Sequence, residues 1–292
     1  MNTLKLNTWC SRAFIFIAAA SLFSLSAAAQ VPSSKHVVMV LEENHSYSSV
    51  IGNSSMPYLN SLANKYTLAT NYYANTHPSI GNYFMLTTGQ IITNNDSYTG
   101  TVTADNIVRR IMTAGKTWKS YAENLPSTGY VGGDSGLYSK HHNPFAYFSD
   151  VRNSSNQRQN LVSFNQFKTD RANNQLPDFS FVVPNMCNDG HSCSLSTADN
   201  WLKTNIAPLL ATAPFQPGGD GILMIVFDES SSSDAAHGGG HVVSVVVGSK
   251  VKRAYRLTTF AQHQSALKTA LKALGISVFP GSSSSATGLA AF

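Results

Sequence analysis

His36-Val37-Val38-Met39-Val40-Leu41 runs directly into Glu42-Glu43-Asn44, and a second apolar stretch, Ile222-Leu223-Met224-Ile225-Val226-Phe227, runs into Asp228-Glu229. Continuous apolar runs of this length are typical of strands that are buried on both faces of a parallel sheet. In open α/β sheets, ligands bind beyond the carboxyl ends of such strands. We therefore expect the two acidic clusters to lie together at one edge of a sheet, where they can share a cation.

The rest of the chain alternates between strand-like and helix-like segments. This alternation predicts an α/β fold, with a doubly wound, mostly parallel sheet flanked by helices, over residues 30–280. The segment Gly129 to Asn160 has little periodicity and is expected to be a long surface excursion with a binding function. The Ser/Gly/Ala-rich tail, residues 281–292, is expected to be flexible.

Residues 1–29 have the pattern of a secretory signal peptide. Lys5 and Arg12 precede an apolar stretch from Ala13 to Leu25, and Ala27-Ala28-Ala29 provides a cleavage site. A membrane anchor is the alternative, although the apolar stretch is short for a bilayer span. We therefore predict a secreted protein, periplasmic or extracellular, without stable membrane insertion.

The charge of the chain is only mildly basic. The formal net charge is +5, and removal of residues 1–29 takes away two basic residues and leaves +3. The densest basic group, which comprises Lys250, Lys252, Arg253 and Arg256, is more often a solvated face than an anion-binding surface. No motif for nucleic-acid binding is present, so nucleic acid is not an expected partner.

The two cysteines outside residues 1–29 are Cys187 and Cys193. An even number of cysteines in an exported protein favours a disulfide. The alternative is a zinc site that includes His191, but the spacing of the cysteines differs from that of common zinc sites.

The acidic clusters offer only oxygen ligands. Glu43, Asn44, Asp228 and Glu229 suit Mg²⁺, Ca²⁺ or Mn²⁺ better than zinc. Either pair alone would be read as a capped loop or a surface ion pair. Two pairs at the ends of two buried strands favour a site for one divalent metal ion.

Ser79 lies in the sequence His77-Pro-Ser-Ile-Gly-Asn82, just before a predicted helix over Asn82 to Thr88. A serine at a helix N-terminus faces free N–H groups, and a nearby cation would activate it as a nucleophile. The alternative is an ordinary helix cap. Histidines also occur repeatedly in loops and at strand entries, and we expect at least two of them in a site. These are His77, His141, His142, His191, His237 and His241.

Several motifs together resemble the bacterial phosphoesterase family. That family contains secreted acid phosphatases and phospholipases C and belongs to the alkaline-phosphatase-like superfamily. The matching segments follow the order of the family motifs along the chain, with Gly81 in place of the usual proline. They are Glu43-Asn-His-Ser-Tyr47, His77-Pro-Ser-Ile-Gly-Asn-Tyr83, Lys140-His-His-Asn-Pro-Phe145, residues 178–191, Phe227-Asp-Glu229 and Gly239-Gly-His-Val242.

The resemblance implies roles for individual residues. Glu43, Asn44, Asp228 and Glu229 match the metal ligands of the family, and Ser79 matches its nucleophile. The resemblance also assigns histidines to catalysis, namely His77, His142, His191 and His241. It assigns Asn82, Lys140 and His141 to substrate binding.

These observations predict a secreted, metal-dependent phosphomonoesterase of the acid-phosphatase type that acts through a phosphoserine. The substrate would be a phosphorylated small molecule or a lipid headgroup. A phosphodiesterase or phospholipase C with the same machinery is the nearest alternative. A secreted lipid- or surface-binding effector without catalysis is the alternative from another class.

Overall fold

The computed structural model describes residues 1, 3 and 30–292. The predicted signal peptide therefore lies outside the described residues, apart from Met1 and Thr3. Within the described part of the chain, no helix combines the length and the apolar character needed to cross a bilayer.

The described residues form ten strands and nine α-helices, joined by loops with short 3₁₀ and π segments. The strands are β1 (Val37–Glu42), β2 (Thr67–Ala69), β3 (Tyr72–Tyr73), β4 (Trp118–Ala122), β5 (Leu161–Ser163), β6 (Phe179–Val183), β7 (Ile222–Phe227), β8 (Ser244–Gly248), β9 (Tyr255–Leu257) and β10 (Ala261–Gln262). The helices are α1 (Tyr47–Val50), α2 (Pro57–Lys65), α3 (Ser79–Thr88), α4 (Ile107–Thr113), α5 (Ser149–Arg152), α6 (Ser155–Arg158), α7 (Phe164–Ala172), α8 (Leu195–Trp201) and α9 (His263–Ala273).

Eight of these strands form one central sheet in the order β5-β4-β6-β1-β7-β8-β2-β9, and β3 pairs separately with β10. Neighbouring strands of the central sheet are parallel except where β8 pairs with β7 and β2. The mostly parallel α/β sheet predicted from the sequence is thus confirmed. The two stretches that prompted the prediction, β1 and β7, are adjacent and fully buried.

Helices cover both faces of this sheet. Tyr83 of α3 packs edge-on against Phe181 of β6. Phe167 of α7 packs against Tyr121 of β4, which is in register with Val182. Because adjacent residues of a strand point to opposite faces, Phe181 and Val182 identify two covered faces. The sheet is therefore doubly wound, as predicted.

The register of β1 and β7 positions the two acidic clusters. Leu41 is opposite Val226 and Glu42 is opposite Phe227. The amide of Asp228 continues the ladder by donating to the carbonyl of Glu42 at 3.0 Å. Both strands therefore deliver their acidic residues at the same carboxyl edge.

Two segments differ from the expectation. The segment 129–160 is not a surface excursion, because its middle part is buried and contributes to the core; the buried residues include His142, Phe145, Tyr147 and Phe148. The tail expected to be flexible packs against the body of the protein. Leu289 and Ala291 are buried, and the Lys252 amide donates to the carbonyl of Ala291 at 2.8 Å.

Candidate active site

Ser79 lies at the first position of α3, between side chains that follow β1 and β7. Its hydroxyl is 3.1 Å from Glu43 Oε2 and 3.2 Å from Glu229 Oε1. Asp228 joins the same group, since its Oδ1 accepts the backbone N–H of Asn44 at 3.1 Å. The two acidic clusters predicted from the sequence are therefore brought together around Ser79, which is 3% exposed.

This concentration of buried carboxyl groups changes their protonation. Burial raises the pKa of Asp228 to about 6. Burial, with repulsion from Asp228, raises the pKa of Glu229 to about 9 and holds the pKa of Glu43 well above its usual value. Without a compensating cation, these groups favour the neutral form.

The donor atoms of this group fit a divalent cation. Asp228 Oδ2 is buried and has no hydrogen-bond partner in the described structure, although its other oxygen is bonded. Glu43, Ser79, Asp228 and Glu229 present hard oxygen atoms, which Mg²⁺, Ca²⁺ and Mn²⁺ prefer. Asn44 stands beside them in a left-handed conformation with φ 57°.

A second group of potential ligands shares Glu43 with the first. Potential ligand atoms of Glu43, His142 and Asp189 all lie within 4.8 Å of one another. His142 Nε2 is 3.4 Å from Glu43 Oε1, and His142 Nδ1 is 3.4 Å from Asp189 Oδ2. This trio is buried and can also hold a metal ion. It extends the candidate metal region beyond the four ligands named from the sequence.

His142 is fixed within this trio by stacking. Its ring lies flat on Tyr83, with ring centroids 5.0 Å apart. Burial, and the neighbouring His191, lower the pKa of His142 to about 3. The hydroxyl of Tyr83 donates to Glu43 Oε1. Tyr83 ends the His77-to-Tyr83 motif, but the motif alone did not indicate this contact with Glu43.

Asp189 and His191 lie on a short loop that a disulfide closes. Cys187 and Cys193 are bonded, as predicted. Asp189 Oδ1 accepts the backbone N–H of His191 at 2.8 Å, and the carbonyl of Asp189 accepts the N–H of Glu43. Burial raises the pKa of Asp189 to about 7. Asp189 was not among the residues predicted from the sequence, and the D-x-H pattern of Asp189 to His191 was the signal that could have identified it.

The segment before Ser79 is held from two sides. The side-chain oxygen of Asn82 accepts the N–H groups of Asn75 and Thr76 at 2.9 and 3.2 Å, and its amide donates to the carbonyl of Thr76 at 2.8 Å. Asn82 is fully buried, and all three of these bonds join its side chain to Asn75 and Thr76. We expected Asn82 to bind substrate, but these contacts give it a positioning role.

His77 and Glu229 form a pair beside Ser79. His77 Nδ1 is 2.9 Å from Glu229 Oε2, and its Nε2 is 3.0 Å from the carbonyl of Asp234. Because Glu229 is also hydrogen-bonded to Ser79, His77 can orient the carboxylate that faces the Ser79 hydroxyl.

The remaining residues predicted from the sequence form no hydrogen bond with Ser79 among the described residues. His241 is stacked between Tyr47 and Tyr73, and its Nε2 is 3.1 Å from the carbonyl of Thr70. Among the described residues, its ring has no hydrogen bond to Ser79 or to the clustered carboxyl groups. His241 therefore packs between two tyrosines and is not brought to Ser79, and its catalytic role stays a prediction.

His141 and Lys140 precede His142 on the opposite rim. The ring of His141 bonds to Ser139 Oγ at 2.8 Å, and burial with the neighbouring His142 lowers the pKa of His141 to about 4. The ammonium of Lys140 lies over the ring of Tyr147. These two predicted substrate-binding residues thus lie next to His142 along the chain, and the His141 ring contacts the His142 ring edge-on at 4.5 Å between centroids.

Glu42 is separated from this site by its position on the strand. It is fully buried, and neither carboxyl oxygen has a hydrogen-bond partner within the described structure. Burial, with the charges of Asp189 and Asp199, raises its pKa well above the usual value. Glu42 therefore favours the neutral form and makes no contact with Ser79.

The chain is similar in sequence to known phosphoesterases. The model of the Phosphoesterase family matches residues 53–276. The chain is 34% identical over 209 residues to a phosphatidylinositol-3-phosphatase of Mycobacterium tuberculosis, covering 71% of this chain and 67% of that protein. It is 30% identical to a probable acid phosphatase of Kluyveromyces lactis, covering 80% of this chain and 56% of that protein. The chain thus spans about half the length of some curated relatives.

Solved structures share the fold. A protein of the alkaline phosphatase superfamily from Vibrio parahaemolyticus matches with a TM-score of 0.59 at 13% identity, over 85% of this chain and 68% of that chain. The lipoteichoic acid synthase LtaP from Listeria monocytogenes matches with a TM-score of 0.59 at 12% identity, over 87% and 74%. At these identities, the similarity shows the fold alone.

Proposed function

Because the chain belongs to the phosphoesterase family, we propose that it is a phosphoric monoester hydrolase of the acid-phosphatase type, with Ser79 as its nucleophile. The observation that carries the proposal is the position of the Ser79 hydroxyl, at the start of α3 and within hydrogen-bond distance of Glu43 and Glu229. Relatives named as an acid phosphatase and as a phosphatidylinositol-3-phosphatase support a monoester substrate.

In the proposed reaction, Ser79 Oγ attacks the phosphorus of the ester and its proton passes to one of the two carboxylates. The bond between phosphorus and the ester oxygen breaks, and the alcohol leaves with a proton. Water then cleaves the phosphoserine, which releases phosphate and restores the hydroxyl. Two such in-line displacements require a nucleophile held firmly in position, and its hydrogen bonds to Glu43 and Glu229 hold it.

The proposal includes one divalent cation, which Glu43, Asn44, Asp228 and Glu229 would hold. Such an ion supplies charge stabilisation to phosphoryl oxygens and lowers the pKa of a bound hydroxyl. Histidine side chains would bind the phosphate oxygens and protonate the leaving alcohol. His142, whose Nε2 is 3.4 Å from Glu43 Oε1, and His191, whose ring centroid is 6.0 Å from that of His142, are the histidines that we assign to the phosphate oxygens. His191 is solvent-exposed and is the candidate that protonates the leaving alcohol.

Secretion remains part of the proposal. It rests on the signal peptide predicted over residues 1–29, and the Cys187–Cys193 bond supports it because disulfides persist mainly in oxidising compartments. Fractionation of cells that express the full chain tests it, since an exported protein is recovered outside the cytoplasm.

The test of the function is the Ser79→Ala variant assayed with p-nitrophenyl phosphate. We expect kcat to fall by about a thousandfold or more, because no other hydroxyl replaces Ser79 between the two carboxylates. Ser155→Ala, which changes an exposed serine of α6, is the matched control. Mass spectrometry of the acid-quenched wild type should find phosphate on the peptide that contains Ser79.

Wild-type turnover by Ser79→Ala would refute the mechanism. The diesterase alternative is tested in the same assay with p-nitrophenylphosphorylcholine. A higher kcat/KM for that diester than for the monoester would overturn the assignment to monoesters.

A further inference from the structure

A cavity of about 310 Å³ is lined in part by Asp96, whose carboxylate accepts the N–H of Ile80 in the first turn of α3. We call it the Lys140 cavity; its walls include Asp96, Tyr98, Gly132, Lys140, Tyr147 and Arg152. Its size is at the lower end of the range for small-molecule sites. Nothing in the proposed reaction uses it.

The Lys140 side chain is an unusual lining group. Among the described residues, it is the one lysine or arginine that is more than nine-tenths buried, with 6% exposure. Its ammonium has no hydrogen bond or ion pair within that part of the chain, and its contact is the ring of Tyr147, 4.4 Å from the centroid. A cation–π contact leaves the three N–H donors of this ammonium without an acceptor in the described part of the chain.

Arg152 provides a second cation. Its Nη1 donates to the carbonyls of Val131 and Ala146 at 3.3 and 3.0 Å. Its other two nitrogens have no hydrogen-bond partner within residues 30–292, and the guanidinium has no ion pair there. The charge of Arg152 also contributes to the lowered pKa of Lys140, after burial. Two cations without an ion pair among the described residues therefore face one small cavity.

Two carboxylates, those of Asp96 and Asp134, also line the cavity, and the charge of Asp134 partly offsets the lowering of the Lys140 pKa by burial and by Arg152, but neither carboxylate forms an ion pair with the two cations. Asp134 is exposed, and its Oδ1 accepts the backbone N–H of Lys140 at 2.7 Å. Asp96 Oδ1 accepts the N–H of Ile80 at 3.1 Å. Neither carboxylate lies within 4.0 Å of the ammonium of Lys140 or the guanidinium of Arg152, so a ligand can supply the missing anion.

The cavity is close to the candidate nucleophile. Asp96, one of its walls, bonds to Ile80, the residue after Ser79. On the other side, Lys140 lies two residues before His142, which contacts Glu43. These two connections place the Lys140 cavity beside the segments that carry Ser79 and His142.

We propose that the Lys140 cavity binds a second phosphate group of the substrate, so that the preferred substrates carry two phosphates. This inference rests on the proposed function. A phosphate offers several acceptor oxygens, which match the free donors of one ammonium and one guanidinium. The second phosphate comes either from a soluble bisphosphate or from the diester phosphate of a phospholipid headgroup.

Two substrate pairs distinguish these sources. Fructose 1,6-bisphosphate is compared with fructose 6-phosphate, and short-chain phosphatidylinositol 3-phosphate is compared with inositol 3-phosphate. We expect kcat/KM of the wild type to be about tenfold or more higher for the doubly phosphorylated member of at least one pair. The pair that shows the preference identifies the source.

Lys140→Met should reduce that preference at least about tenfold, because methionine keeps the apolar contact with Tyr147 and removes the charge. Lys140→Arg should retain most of it. Lys168→Met is the matched control, since the Lys168 ammonium also lies over an aromatic ring, at 5.3 Å from the centroid of Phe164, but is exposed and outside the cavity.

Binding measurements distinguish a failure of the second-phosphate site from a failure of the proposed phosphatase function. Dissociation constants for both pairs are measured by calorimetry with Ser79→Ala protein, with and without Lys140→Met. Absence of any turnover, with the binding preference intact and dependent on Lys140, would refute the proposed function alone. A wild type without preference in both turnover and binding, or a preference that survives Lys140→Met, would overturn the second-phosphate site.

Discussion

The imidazole of His77 is hydrogen-bonded to the carboxylate of Glu229, with Nδ1 2.9 Å from Oε2. The other oxygen of that carboxylate lies 3.2 Å from Ser79 Oγ. The second ring nitrogen of His77 is held by the carbonyl of Asp234. The orientation of Glu229 toward the candidate nucleophile is therefore fixed from outside the metal region.

The first prediction concerns this pair. His77→Asn should lower kcat for p-nitrophenyl phosphate by about tenfold to a hundredfold, because Glu229 loses its orienting partner. KM should change less than kcat, since His77 is not expected to contact substrate. His237→Asn, which changes an exposed rim histidine, serves as the control. A His77→Asn variant with unchanged kcat would contradict the positioning role.

The second prediction compares two adjacent glutamates. Glu43→Gln should reduce kcat/KM by about a hundredfold or more, because Glu43 contacts Ser79 and would hold the cation. Glu42→Gln should stay within about twofold of wild type, since Glu42 is on the other face and favours the neutral form that glutamine imitates. Equal losses of kcat/KM in the two variants would contradict the placement of Glu43 in the site and of Glu42 on the opposite face of β1.

The third prediction concerns stability and pH in the presence of a chelator. Glu229, with a pKa of about 9, and Asp189, with a pKa of about 7, bind protons more tightly in the folded than in the unfolded protein. The stabilisation from these protons is complete below the unfolded pKa values and is lost as pH rises through about 7 and about 9. The free energy of unfolding should therefore fall between pH 7 and pH 9.

Buried histidines do not obscure this window. Burial lowers the pKa of His141, His142 and His263 to between about 3 and about 4. Their contribution to the free energy of unfolding is therefore lost only as pH falls below about 6.5. Urea unfolding at pH 7, 8 and 9 in EDTA measures the effect. Saturating Mg²⁺ should raise the free energy of unfolding most at pH 9. A stability without pH dependence in EDTA would contradict the burial of these carboxyl groups.

The fourth prediction concerns Gly239. A Cβ at this position would lie 2.4 Å from the carbonyl oxygen of Thr76 and 2.7 Å from Cβ of Ala74. Gly239→Ala should therefore push away the segment that leads to Ser79, with a cost of about 1–3 kcal/mol in unfolding free energy and a loss of activity. Gly133→Ala, where a Cβ meets no atom within 4 Å, is the matched stability control. Chemical denaturation of both variants provides the comparison.

The fifth prediction concerns the disulfide-closed loop. The double variant Cys187→Ser/Cys193→Ser should lose about 2 kcal/mol of unfolding free energy, which is the size expected for a short closed loop. Its kcat/KM, measured well below the melting temperature, should fall about tenfold because Asp189 and His191 are less firmly placed. Reduction of the wild type should reproduce the loss, and full activity of the reduced protein would contradict it.

The apolar stretches and motifs were sufficient to predict the fold class, the disulfide and a set of acidic residues around Ser79. Their signals are local, because burial on both faces removes the alternation of a strand and leaves a continuous apolar run. Asp189 and Tyr83 were not assigned, since their contacts join segments that are far apart in sequence. Asn82 and His241 received functional roles from motifs, whereas their hydrogen bonds and stacking in the structure are used for positioning and packing.

The local patterns of the chain indicated which strands are buried and which oxygen-bearing residues follow them, because the preference for burial is a property of a short segment. Three features became visible only in the packed fold: β1 and β7 are neighbours, α3 begins at Ser79, and Lys140 faces a cavity without forming an ion pair. The order of the strands and the desolvation of a charged side chain depend instead on which distant segments of the chain pack together.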